Sequence, residues 1–259
     1  MSTHVCDSLN DQVRGFWEHE PCGTGHLSVG DTPRETSDFY ERVESNRYAL
    51  EPFIHSVAQF TRHHGKKVLE VGVGAGTDHL QWARAGAVCH GVDLTDAAIE
   101  MTRNRLSLYG FTSQLQRVDA EQLPFETESF DIVYSWGVIH HSENPAQIIE
   151  EIHRVLKKGG RFVGMMYGRR SLLALRLWAR YGLLSGRPWR SLRDIVWHHM
   201  ESIGTKAYTP RELRDLFSSF DNCHIQPILT PYDRRRLPNW LTEFVPNCFG
   251  WFLAIDARK

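Results

Sequence analysis

The sequence has no Cys-x-x-Cys pair, no internal repeat, no stretch of about 20 apolar residues and almost no net charge, and each absence closes off a class of protein. Its five cysteines, Cys6, Cys22, Cys89, Cys223 and Cys248, are odd in number and far apart. They support neither a disulfide framework nor a zinc knuckle, and they fit reduced thiols in a cytoplasm. Asp7, Asn10, Asp11 and Arg14 interrupt any basic-then-apolar leader, so a cytoplasmic chain is expected. The most apolar helical stretch, 171–186, contains Arg176 and Arg180 and is too short to span a bilayer, so no transmembrane segment is predicted. Lys plus Arg total 30 against 31 Asp plus Glu, a balance that argues against wholesale attraction to nucleic acid. What is present, 259 residues with 41% hydrophobic and 24% charged, suits one sizeable α/β domain with a cap.

From Lys66 onward, β-branched runs at 67–71, 87–92, 115–118, 131–134 and 161–166 alternate with amphipathic runs at 77–85, 96–109 and 145–156. Alternation of this kind requires crossovers, hence a mainly parallel, doubly wound sheet covered on both faces. Ahead of it, residues 1–62 read as an arm rich in turn formers followed by two lead-in helices, around Phe39 to Tyr48 and beyond Pro52. Residues 63–168 form the core, 169–206 an inserted helical lid, and 207–259 a return to the sheet with strands near 224–229 and 251–255.

The sharpest constellation is Glu70-Val71-Gly72-Val73-Gly74-Ala75-Gly76, a buried strand running into three alternating glycines and then a helix. Glycine permits the tight turn and lets a ligand approach where a Cβ would collide. Asp93, with Leu94 beside it, ends the next strand about 20 residues later, where a carboxylate accepts from ribose hydroxyls or caps the following helix. Asp119 follows the third strand and suits either an adenine amino group or a surface turn. Glu70 would repel a pyrophosphate, and the Gly-x-Gly-x-Gly spacing is not that of a dinucleotide loop, so a ligand carrying positive charge is favoured.

Together with Asp119-Ala120-Glu121-Gln122-Leu123-Pro124-Phe125, Phe130-Asp131-Ile132-Val133 and Leu156-Lys157-Lys158-Gly159-Gly160, these residues resemble a class I S-adenosylmethionine-dependent methyltransferase over about residues 66–167. The resemblance implies a Rossmann-like seven-stranded sheet whose last strand is antiparallel, with S-adenosylmethionine bound across the carboxyl ends of the first and fourth strands. It further implies that Glu70, Gly72, Gly74 and Gly76 flank the methionine and ribose, that Asp93 and Leu94 hold the ribose, and that Asp119 and Ala120 meet the adenine. Ser135 and Trp136 would border the methionine end.

Methyl transfer needs proximity and a dry site, plus a base when the acceptor is a hydroxyl. His140 and His141 follow the fourth strand. His140 is the candidate base, His141 a candidate substrate contact, and the alternative for both is a pair satisfying loop carbonyls. Tyr40 and Tyr48 either face the methyl group or pack between helices. No histidine or cysteine spacing predicts a metal. Seven arginines, at 169, 170, 176, 180, 187, 190 and 193, stand in a stretch free of acidic residues and interleaved with leucines. They admit three readings: an arginine-fringed lid, recognition of an anionic acceptor by residues such as Arg176 and Arg180, or peripheral docking on an acidic membrane. The expected activity is methylation of a small or lipid-linked, anionic metabolite at oxygen, with no specific nucleic-acid partner. The alternatives are an RNA or protein methyltransferase, a nicotinamide-dependent oxidoreductase, or a non-catalytic cofactor-binding protein.

Overall fold

A computed structural model describes residues 8–19, 21–235, 238 and 243–259; Cys6 and Asp7 lie outside the described residues. Seven strands build one sheet: β1 Lys67–Val71, β2 Val88–Asp93, β3 Gln114–Arg117, β4 Phe130–Trp136, β5 Leu156–Tyr167, β6 Asn222–Ile228 and β7 Phe252–Arg258. Their order is β3-β2-β1-β4-β5-β7-β6. The first five are mutually parallel, and β7 runs antiparallel to both β5 and β6, which makes the last strand of the chain the reversed one. The order reverses direction between β1 and β4, so their carboxyl ends diverge and leave a crevice.

The helices, in chain order, are α1 Leu9–His19, α2 His26–Val29, α3 Ser37–Leu50, α4 Ile54–Ala58, α5 Thr77–Arg84, α6 Asp96–Leu108, α7 Pro145–Val155, α8 Leu172–Trp178, α9 Leu192–His199, α10 Pro210–Leu216 and α11 Pro231–Arg234. Helix α7 shows why such elements form where they do. Asn144 caps it by accepting from the Gln147 N–H, Pro145 occupies the first turn, and Ile148, Ile149, Ile152 and Val155 fall on one buried face. Each such side chain contributes about 1.5–3 kcal/mol by leaving water. That face packs with Phe130, Val133 and Phe162 on one side of the sheet; Trp82, Tyr134, Trp136 and Val163 fill the other.

Two local expectations change. The fifth strand begins at Leu156 instead of 161, because Leu156 pairs with Phe130 before an irregularity in register and Gly159 turns the chain at φ 73° while its N–H reaches Lys259. The arm, read as turns, contains α1, a mostly polar helix with one buried residue, Val13, which packs against α6. Leu9, Val13, Phe16 and Trp17 do recur at i, i+4, i+7 and i+8, a helical period that the turn formers Pro21, Gly23, Gly25 and Gly30 just after it masked.

Candidate active site

A cavity of about 420 Å³ opens at the carboxyl ends of β1 and β4, a size ordinary for a small-ligand site. Its floor is the turn after β1. Gly72 (φ 83°) passes so close to Val138 that a Cβ would lie 2.2 Å from the Val138 Cγ2. Gly74 (φ 52°) lines the cavity, and a Cβ there would meet no protein atom within 4 Å. Gly76 (φ 71°) is different: it does not line the cavity, and its missing Cβ makes room for Thr102 of α6 at 2.9 Å. Its expected ligand contact is therefore replaced by helix packing.

Asp93 faces the same space and accepts from the Gly74 N–H (3.1 Å), the Thr95 N–H (3.0 Å) and the Thr95 hydroxyl (2.8 Å). Burial raises its pKa, and these donors offset the rise only in part. Leu94, Asp119 and Ala120 line the wall beyond it. Asn10 of α1 donates to Asp119 (2.9 Å) and to Glu121 (2.8 Å), and its carbonyl accepts from the Glu143 N–H (2.7 Å). Asn10, Val13 and Trp17 thus roof the cavity.

Glu70 lines the cavity but does not present the negative charge expected of it. Its carboxyl lies 2.9 Å from the His79 Nδ1, and the His79 Nε2 lies 2.9 Å from the Ser113 hydroxyl, which itself donates to the Cys89 carbonyl. Ser113 therefore receives the proton of Nε2, and the remaining proton of the pair sits between Nδ1 and Glu70. Burial raises Glu70 and lowers His79 to about 4, so the pair is neutral as a whole. Charge at the floor belongs instead to Arg47 and Asp78. Two donors of Arg47 reach Asp78 at 2.6 and 3.2 Å, joined by the hydroxyls of Tyr48 (2.9 Å) and Tyr134 (2.8 Å). Burial works to raise Asp78, and the Arg47 guanidinium with these donors outweighs it.

At the other end stand Trp136, Met165, Tyr167, Leu173, Met200, Tyr232 and Trp251, with His141 and Glu201 among them. The His141 Nδ1 lies 2.9 Å from the Ser202 hydroxyl and 3.1 Å from that of Thr205. Thr205 gives its own proton to the Ser202 carbonyl at 2.6 Å, so toward Nδ1 it could only accept. The Ser202 hydroxyl can accept from Nδ1 or donate to it, so these contacts admit either tautomer; Nε2 is buried without a hydrogen-bond partner, 3.5 Å from the Glu201 carboxyl group. Burial lowers His141 to about 3, and Tyr167 donates to Glu201 at 2.9 Å.

Several expected residues stand elsewhere. His140 is fully buried against the Tyr167 ring, is absent from the cavity wall, and has neither ring nitrogen partnered; burial lowers it well below the usual range. Ser135 sits behind the wall, donating to the Val71 carbonyl, while Trp136 reaches the cavity with its Nε1 donating to Glu51. Tyr40 is buried, donating to the Met101 carbonyl beneath the Arg105 guanidinium. Tyr48 turns to Asp78. Arg176 donates to the carbonyls of Tyr232, Asp233 and Arg235, Arg180 lies over the Tyr181 ring, and neither lines the cavity. Among the described residues no group of three or more His, Cys, Asp and Glu could hold a metal. Arg47, Asp78, Glu51, Glu201 and Asn10 went unnoticed in the sequence. Arg47 adjoins Tyr48, and Asp78 follows the glycine turn at a helix start, the only local signals of the set.

A methyltransferase-domain family matches residues 69–164. Over 189 residues the chain is 37% identical to the phthiotriol/phenolphthiotriol dimycocerosates methyltransferase of Mycobacterium tuberculosis, a match covering 71% of this chain and 66% of the relative. The chain thus spans just under two thirds of that relative. An uncharacterized methyltransferase of Bacillus subtilis is 35% identical over 98 residues, 38% of this chain and 39% of that protein. Two solved structures share the fold. Magnesium protoporphyrin IX methyltransferase from Synechocystis PCC 6803, with bound SAM, superposes at TM-score 0.61 with 13% identity over 99% of this chain and 100% of that one. An S-adenosylmethionine-dependent methyltransferase from Mesorhizobium loti does so at 0.58 with 19% identity over 79% and 96%.

Proposed function

Because the chain belongs to the class I S-adenosylmethionine-dependent methyltransferases, we propose that it methylates a hydroxyl group of an uncharged, apolar or lipid-linked acceptor. The observation that carries this reading is a single cavity with two unlike ends: Gly74, Asp93 and Asp119 at one, and an aromatic chamber lined by Trp136, Tyr167, Trp251 and His141 at the other. The residues fit the cofactor. Gly74 leaves open the space a Cβ would fill, and Asp93 retains electron pairs that would accept from ribose hydroxyls. Asp119 and Ala120 on the wall suit contact with the adenine, and Arg47, the one Lys or Arg on the wall among the described residues, suits the carboxylate of the methionyl part. S-adenosylmethionine supplies an electrophilic methyl group on sulfur; the chain's part is orientation, exclusion of water and custody of the acceptor's proton.

That proton goes to His141 in this reading. Ser202 and Thr205 hold its ring, the role requires the tautomer with the proton on Nδ1, and the nearby Glu201 would favour the imidazolium as it forms. His140, the candidate from sequence, has no path to the cavity. An anionic acceptor is disfavoured, since, among the described residues and apart from the neutral Glu70–His79 pair, Glu51, Asp78, Asp93, Asp119 and Glu201 line the cavity against one arginine. The name of the Mycobacterium relative includes a triol, in keeping with oxygen as the acceptor atom.

The test is incubation with methyl-labelled S-adenosylmethionine and fractionated cell extract, followed by mass analysis. Label is expected in an apolar, hydroxyl-bearing product of the lipid fraction. Label confined to RNA or protein would overturn the reading in favour of those substrates, and donor binding without transfer to any fraction would mark a non-catalytic protein.

A further inference from the structure

We propose that the tip of the helical pair α8–α9 is a docking surface for a bilayer with acidic headgroups. Helix α8 continues through a π-helical turn, Ala179–Leu183, and the chain returns into α9. Between them Leu183 is 52% exposed, Leu184 82% and Trp189 77%. Scattered apolar residues on a surface need no explanation, but three within seven positions form a patch.

The tip is held in shape from inside. The Gly186 N–H donates to the Leu183 carbonyl (3.1 Å), the Arg187 N–H to the Gly182 carbonyl (2.8 Å), and the Trp178 Nε1 to the Arg190 carbonyl (2.9 Å). A fixed backbone with leucines and a tryptophan turned outward is suited to shallow insertion among headgroups, where tryptophan is favoured.

Charge selects the occupant. The structure divides the seven arginines that the sequence presented as one run. Arg190 pairs with Asp194, and Arg169 and Arg193 share Glu212. Arg170, Arg180 and Arg187 have no carboxylate partner among the described residues, and all three are exposed. Exposed Arg234 and Arg235 of the neighbouring α11 segment stand on the same flank, joined to α8 through the Arg176 guanidinium. Exposed apolar side chains with Arg180 and Arg187 among them, and Arg170 at the other end of α8, complement an anionic lipid surface.

The same elements reach the cavity, where Leu173 of α8, Met200 just past α9 and Tyr232 of α11 form part of its wall. Eleven residues separate Leu173 from Leu184, about 16 Å of helix. A molecule anchored in the bilayer therefore has a short way to travel along the pair. The docking surface stands or falls separately from the reaction assigned to the cavity.

Co-sedimentation with vesicles tests it, comparing phosphatidylcholine alone with phosphatidylcholine mixed with an equal amount of phosphatidylglycerol. The protein should pellet with the mixed vesicles, less so as salt rises. Replacing Arg170 and Arg187 by Gln should weaken partitioning about fivefold per arginine. The double substitution Leu184→Ser, Trp189→Ser should weaken it about tenfold or more. Calorimetric binding of S-adenosylhomocysteine, unchanged in both variants, shows that they are folded and keeps the cavity's function a separate question. The proposal is overturned if the wild type stays in the supernatant with acidic vesicles, or if the variants pellet as it does. It is overturned equally if light scattering shows a dimer that the Leu184/Trp189 variant dissolves.

Discussion

Gly72 and Gly74 look interchangeable in the sequence, yet their surroundings predict opposite effects. Gly72→Ala forces a Cβ into Val138 at a positive φ and should destabilise the fold by about 2 kcal/mol or more. Gly74→Ala meets no protein atom, so thermal stability should drop by only about 1 kcal/mol while donor affinity by calorimetry falls tenfold or more. Equal losses of stability in both would refute the distinction. His141→Asn should leave donor affinity intact and lower kcat about 10² to 10³-fold, whereas His140→Asn should act through stability alone. A wild-type kcat in the former removes His141 as base. The glycines and Asp93 were legible because their chemistry is written in consecutive residues. Arg47 with Asp78 is a contact across 31 positions and Asn10 with Asp119 one across 109, and no periodicity links residues so far apart. Which of His140 and His141 lines the cavity was not legible for a related reason, since the short helical turn Ile139–His141 decides it, and it is His141.

At the scale of elements, alternating strands and helices gave the order of the core, because crossovers in a parallel sheet leave few topologies. Missing was α1, whose role is interfacial. Its purchase on the core is partly polar: Asn10 holds Asp119, Glu121 and the Glu143 N–H, while Glu18 accepts from the Asp96 and Ala97 N–H groups at the start of α6. Asn10→Ala removes three hydrogen bonds worth about 0.5–1.5 kcal/mol each. It should speed donor dissociation at least about fivefold in stopped-flow measurements and lower the melting temperature by about 3 °C or more; an unaltered off-rate would show that α1 does not confine the ligand. The inserted helical pair was legible as an amphipathic stretch, but which arginines are spent in ion pairs was not, because Asp194 lies just past the acid-free run 169–193 and Glu212 lies in α10, beyond the pair.

For the whole molecule, the near-zero net charge conceals a separation: carboxylates gather in the cavity and unpaired arginines at the distant tip. Buried histidines set the acid limit of stability. His140 and His141 are depressed below the ordinary value near 6.5, so the unfolded chain binds more protons than the native one as pH falls below it. Their stabilisation is complete above that pH and declines on acidification by about 1.4 kcal/mol per unit for each. His79 adds little, since the proton it refuses is held by Glu70. Between pH 7.5 and 5.5 the melting temperature should fall by about 5 to 10 °C; a constant or rising value would contradict this. The clasp of Asn10 has a final consequence in time. In the proposed reading α1 lies over the adenosine end, and spent donor leaves through an excursion of that helix. Rapid-quench experiments should then show one fast methylation per molecule followed by a slower steady pace set by that hinge, and loosening the clasp should quicken the second phase alone.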